Sequence, residues 1–109
     1  MTAKTKGKAP TALLVSTFAD ENRLATQMNG KAVSASLKDR SAILSIGHTA
    51  NGAYWFPGGD EGNFISSTFY MDALPAWVAD FNASRKIDDY LTTWDTYYPH
   101  HSIYRNRSR

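Results

Sequence analysis

Two cations separated by one residue, Lys38 and Arg40, sit in the run Ser36-Leu37-Lys38-Asp39-Arg40-Ser41, at the end of a short, largely uncharged stretch, KAVSASL, that reads as a strand. If strand geometry runs on through residue 40, the two side chains share one face ~7 Å apart while Asp39 faces the other way. A guanidinium fork beside an ammonium suits the oxygens of a phosphate, and open α/β sheets bind ligands at the carboxyl ends of their strands. The same spacing also fits a solvated charge pair behind a strand, the commoner use of such residues. His48, directly after Gly47 in a turn, is a secondary candidate for an anion or metal contact, weighed against an ordinary hydrogen-bonding role. His100 and His101 are adjacent, so in extended chain their side chains diverge, and no third ligand accompanies them. Ser66, Ser67 and Thr68 have neither a Gly-x-Ser-x-Gly elbow nor an assigned His-Asp pair, so no nucleophile is assigned. The sequence also has no glycine-rich phosphate loop and no His-x-x-x-His pair. Spacing alone supplies no complete catalytic apparatus and no metal ligand set.

The elements that must position these residues follow from periodicity. Leu14, Phe18, Ala25 and Met28 fall near one helical face, Pro10 suits a first turn and Asn29-Gly30 suits a left-handed stop, which predicts a helix over about 11–28. Residues 31–37 are short, small and largely uncharged, the pattern of a strand buried on both faces of a parallel sheet. Ser41 to Ile46 predicts a short helix ending at Gly47. Two aromatic runs, Ala53 to Phe56 and Asn63 to Tyr70, flank Pro57-Gly58-Gly59-Asp60-Glu61-Gly62 and predict a β-hairpin. Leu74, Trp77, Val78 and Phe81 then follow i, i+3, i+4, i+7 spacing, with Asp72 as the candidate cap of an amphipathic helix. Trp94, Tyr97 and Tyr98 belong to a last, irregular aromatic element. The many aromatics are expected to serve as core before anything else.

Charge is distributed unevenly. Six of the twelve basic residues lie at the two ends, so residues 9–104 carry six basic against ten acidic residues, a net −4. An acidic folded part argues against specific nucleic-acid binding, which needs a basic stripe on the folded surface. Residues 1–9 and 100–109 are expected to be flexible basic tails around a partial domain at 10–99. The absence of cysteine excludes disulfide scaffolds and thiolate metal sites. No apolar run approaches the ~20 residues of a membrane helix, and MTAKTKGKAP has no apolar core of a secretory signal, so the expected location of the chain as written is the cytoplasm, with no membrane partner.

The strings SLKDRSAIL, GHTANGAYWF and GNFISSTFYMDALPAWVADFN, in that order, resemble the middle of the alkaline phosphatase superfamily, above all the bacterial PafA-like phosphatases, relatives of the type I phosphodiesterase/nucleotide pyrophosphatases. The resemblance runs from about Pro10 to Tyr98. It departs from the family at Ser45-Ile46-Gly47-His48, where Pro-Ala-Gly-His is usual, and at Ala19-Asp20-Glu21-Asn22, where the family tends toward Gly-Asp-Glu-Leu.

The resemblance implies a piece of a two-zinc hydrolase of phosphate monoesters, periplasmic or secreted in its complete relatives, in which a threonine nucleophile works between the metals. The family's Lys-x-Arg pair contacts the non-bridging phosphate oxygens, and its positions here are Lys38 and Arg40. The family's nucleophile segment lies upstream of the matched stretch and its remaining zinc ligands downstream, so no zinc is expected to be bound here, and Thr17 is not the nucleophile. The expected fold class is α/β: part of an alkaline-phosphatase-like sheet (helix, buried strand, short helix) with a β-hairpin and a following amphipathic helix. The function implied is a share in phosphate-monoester hydrolysis, with the missing remainder of the enzyme as a partner. The alternative is a free-standing module that binds a phosphoryl ligand or a protein without catalysis.

Overall fold

A computed structural model describes residues 8–58 and 62–93. The tail residues 1–7 and 100–109, and with them His100 and His101, lie outside the described residues, as do Trp94, Tyr97 and Tyr98. Five elements carry the architecture: α1 (Phe18–Ala25), β1 (Val33–Ser36), α2 (Asp39–Ile46), β2 (Gly52–Trp55) and α3 (Ala76–Ala83). Short 3-10 turns precede and follow them at Pro10–Ala12 and Lys86–Tyr90. No helix among the described residues is long and apolar enough to cross a membrane.

The α/β expectation holds. β1 and β2 pair in parallel, Val33 opposite Gly52 through Ser36 opposite Trp55, and α2 is the crossover that parallel strands require. Asn51 lengthens the ladder at one end, its N–H donating to Ala32 O at 2.8 Å and its side-chain oxygen accepting from Ala32 N–H at 2.9 Å. Ala42, Ile43 and Ile46 of α2 meet Ala32, Ala53 and Trp55 in one core. The Ser34 hydroxyl donates to Ala42 O at 2.7 Å and ties helix to strand.

Four details differ from the sequence reading. The helix expected over 11–28 is a 3-10 turn, then extended chain, then α1 alone. Its start is set at Thr17 by a reciprocal capping box with Asp20, which satisfies two orphan N–H groups at once. Its end comes at Thr26, with Gln27 and Met28 in left-handed backbone ahead of the expected Asn29-Gly30 stop. The strand buried on both faces is β2, buried at all four residues; β1 alternates between exposed and half-buried, because α2 covers only one of its faces.

The expected β-hairpin contracts to one antiparallel bridge between Trp55 and Ile65. Beyond it the partners change: the Ser66 hydroxyl donates to Ala53 O at 2.6 Å, and the Ser67 hydroxyl donates to Lys8 O. The amphipathic helix is present as α3, but Pro75 rather than Asp72 stands at its N-cap and no side chain caps it. α3 is held by the Asn82 side-chain amide, which bonds both Phe64 N–H (2.8 Å) and Phe64 O (2.9 Å), by buried Val78, and by Trp77 lying edge-on to Tyr54 at 5.2 Å.

Candidate functional site

β1 stops at Ser36, so the extended geometry that would aim Lys38 and Arg40 together does not reach them. Lys38 is extended and stands at the N-cap of α2, whereas Arg40 is already in that helix's first turn. Both are exposed. Among the described residues neither side chain makes a hydrogen bond or ion pair, which leaves two cations available to an outside anion.

Asp39 stands between them. Its carboxylate accepts the Arg40 N–H at 2.9 Å and pairs with the Lys8 ammonium. The Lys8 ammonium first, and then the Arg40 N–H, hold the Asp39 carboxyl below its ordinary range. Two open hollows meet at this pair. One, of about 250 Å³, is lined by Lys8, Leu37, Lys38, Asp39, Trp55 and Phe56; the other, of about 290 Å³, by Lys8, Ala12, Asp39, Arg40, Ile43 and Leu44. Lys38 and Arg40 thus border adjoining hollows at the same end of α2, with Lys8 and Asp39 common to both.

His48 lies past the opposite end of α2, whose eight residues span ~12 Å, and is not brought to the two cations. Its surroundings centre instead on Asp20, a carboxylate only 2% exposed. Oδ1 of Asp20 accepts from His48 N–H (2.9 Å), Thr49 N–H (2.9 Å) and the Thr49 hydroxyl (2.8 Å); Oδ2 accepts from Thr17 N–H at 3.1 Å. His48 Nδ1 lies 3.6 Å from Oδ2. Burial raises the Asp20 pKa, but the N–H groups of Thr17, Thr49 and His48 and the Thr49 hydroxyl outweigh it, so the carboxyl stays ionised far below its ordinary range. The Tyr70 hydroxyl donates to Gly47 O at 2.7 Å, and burial together with the Asp20 charge pushes its pKa up to about 12. This constellation fastens α1 to the loop after α2.

The donor set does not suit a metal. Among the described residues no three His, Asp or Glu side chains gather, and the oxygens of Asp20 are taken by four protein donors.

Sequence reasoning passed over Asp20 and Lys8. Thr17-x-x-Asp20 has the form of a capping box, the signal that would have found the first. Lys8 falls in the stretch whose composition predicts a tail, and no local sequence signal ties it to Asp39.

No protein-family model matches the chain. It is 54% identical over 94 residues to alkaline phosphatase PhoV of Synechococcus elongatus, a match covering 84% of this chain and 16% of that protein. It is 45% identical over 93 residues to a protein of Myroides odoratus named calcium-transporting ATPase, and 42% identical over 93 residues to alkaline phosphatase PafA of Elizabethkingia meningoseptica. Each of these two matches spans 84% of this chain and 17% of the relative. The crystal structure of wild-type PafA superposes with a TM-score of 0.69 at 43% identity over 74% of this chain and 16% of that one. A PafA variant with four substitutions, among them a lysine and an arginine two positions apart both changed to alanine, superposes at 0.68 and 40% identity, with the same coverage. The chain spans about one sixth of the length of these relatives.

Proposed function

We propose that this chain, a relative of the PafA-like alkaline phosphatases that matches about one sixth of their length, contributes the phosphate-contacting Lys38 and Arg40 to phosphate-monoester hydrolysis and carries neither the nucleophile nor the metal ligands. One observation carries the reading. Lys38-x-Arg40 is the sole Lys-x-Arg in the sequence, and both side chains are exposed with no protein partner among the described residues. The PafA variant altered at a lysine and an arginine of the same spacing supports it.

The chemistry asked of the pair is electrostatic. An ammonium and a guanidinium beside the non-bridging oxygens lower the cost of gathering charge there, and the guanidinium adds directional N–H donors. In complete relatives zinc would supply the activation of a nucleophile; nothing in the described residues holds it, and no step through it is assigned to this chain.

The test is titration of the 109-residue chain with inorganic phosphate, followed by phosphorus-31 NMR. Saturable binding is expected, weakened about fivefold or more in Lys38→Ala and in Arg40→Ala. Hydrolysis of a generic aryl phosphate with added zinc is expected to stay at background. Binding indifferent to both substitutions would refute the proposal.

A second reading, a protein-binding module, is favoured by the apolar groove of Val33, Ala35, Tyr54, Phe64, Trp77 and Phe81, in which Trp77 is 59% exposed. The remainder of an alkaline-phosphatase-like enzyme is the partner that reading names.

A further inference from the structure

We propose that Lys8 is a positioning residue of the Lys38 and Arg40 anion site, acting through Asp39 by cancelling its charge; this rests on the phosphate reading above. Asp39 lies between the two cations in sequence and lines both hollows that they border, so an anion entering either meets its carboxylate. Lys38 and Arg40 against an uncompensated Asp39 leave one net positive charge. With Lys8 paired to Asp39, both cations act at full weight.

Lys8 is not a loose surface lysine. Its carbonyl accepts the hydroxyl of Ser67, a residue only 3% exposed, and two residues further on Pro10 is fully buried. The main chain is therefore anchored at Lys8 and again just after it, and its ammonium is delivered to Asp39. The arrangement joins residues 59 apart, more than a chance contact of a frayed end would need. The Arg40 N–H holds the same carboxylate from the other side, which keeps it at the shared wall of the two hollows.

The experiment measures inorganic phosphate affinity of the full chain at low ionic strength by phosphorus-31 NMR, with thermal melting of every variant in parallel. Lys8→Gln is expected to bind phosphate roughly two- to fivefold more weakly, the weight of an exposed charge pair. Lys8→Arg should retain wild-type affinity. Asp39→Asn should bind at least as tightly as wild type, and the double variant Lys8→Gln with Asp39→Asn should regain the affinity lost by Lys8→Gln alone. That rescue is a readout a merely structural lysine would not move.

If Lys38→Ala and Arg40→Ala weaken binding but Lys8→Gln does not, or if the double variant stays as weak as Lys8→Gln, this inference is overturned and the phosphate reading stands. Should Lys8→Gln fail to fold, Asp39→Asn binding more weakly than wild type overturns it equally. If the unaltered chain binds no phosphate, both fall together.

Discussion

Asp20 and Thr49, 29 residues apart, are joined twice: Oδ1 of the one accepts both the N–H (2.9 Å) and the hydroxyl (2.8 Å) of the other. The same oxygen takes the His48 N–H at 2.9 Å, so one buried charge organises the whole turn between α2 and β2.

Replacing Asp20 with Asn should cost roughly 3 kcal/mol or more, because an amide must either turn a donor toward N–H groups or leave them unpaired. The pH profile is a second signature. A carboxyl whose folded pKa is depressed contributes stability above its ordinary value of ~3.9, and that contribution is lost as pH falls below it. Urea melts from pH 6 downward should show a loss of stability in the wild type that is smaller in Asp20→Asn.

Gly47 has φ +80° and ψ −148°, a region essentially confined to glycine, and a Cβ there would lie 2.1 Å from Asp20 Oδ2. Gly47→Ala should therefore combine backbone strain with displacement of the buried carboxylate, costing about 3 kcal/mol or more. The midpoint of thermal unfolding and the amide shifts of His48 and Thr49 would report both effects.

Tyr70 supplies the opposite pH limb. Its pKa is raised from 10.0 to about 12, so its contribution is present below pH 10 and is lost as pH rises toward 12. Alkaline unfolding curves should show that decline in the wild type. Tyr70→Phe should lack it, while being about 1 kcal/mol less stable at neutral pH through loss of the bond to Gly47 O.

The exposed aromatics of α3, Trp77 at 59% and Phe81 at 40%, line an apolar groove with Val33 and Ala35. The isolated chain should bind a hydrophobic dye and self-associate as concentration rises, and Trp77→Ser should reduce both. Sedimentation that stays monomeric at every concentration would count against this surface being adhesive.

The α/β class, α2 and α3 were legible because each rests on a local pattern: small apolar residues before a crossover, a glycine stop at Gly47, i, i+3, i+4 spacing around Val78. The parallel partner of β1 was not, since residues 53–56 read as one arm of a hairpin. The first helix was misjudged for a physical reason. Leu14 and Phe18 fit a helical stripe, yet they are 93% and 92% exposed, so no burial rewards the stripe and the Thr17 cap sets the boundary. Lys38 and Arg40 were legible as a pair, but their placement was not, because the strand's end at Ser36 depends on where β2 runs out beside it. Lys8 was out of reach of any local rule, since its partners at positions 39 and 67 are brought to it only by the completed fold.

The bond from Ser67 to Lys8 also predicts an order of folding events. Closing a loop of that span costs more entropy than forming β1, α2 and β2, which are neighbours in the chain. The unit around β1, α2 and β2 can therefore assemble first and the segment bearing Lys8 dock last, the order in which local openings would release them in reverse. Among the described residues, amide exchange should be faster around residues 8–12 than in β2, and the proposed anion site would acquire its full charge only once that segment docks.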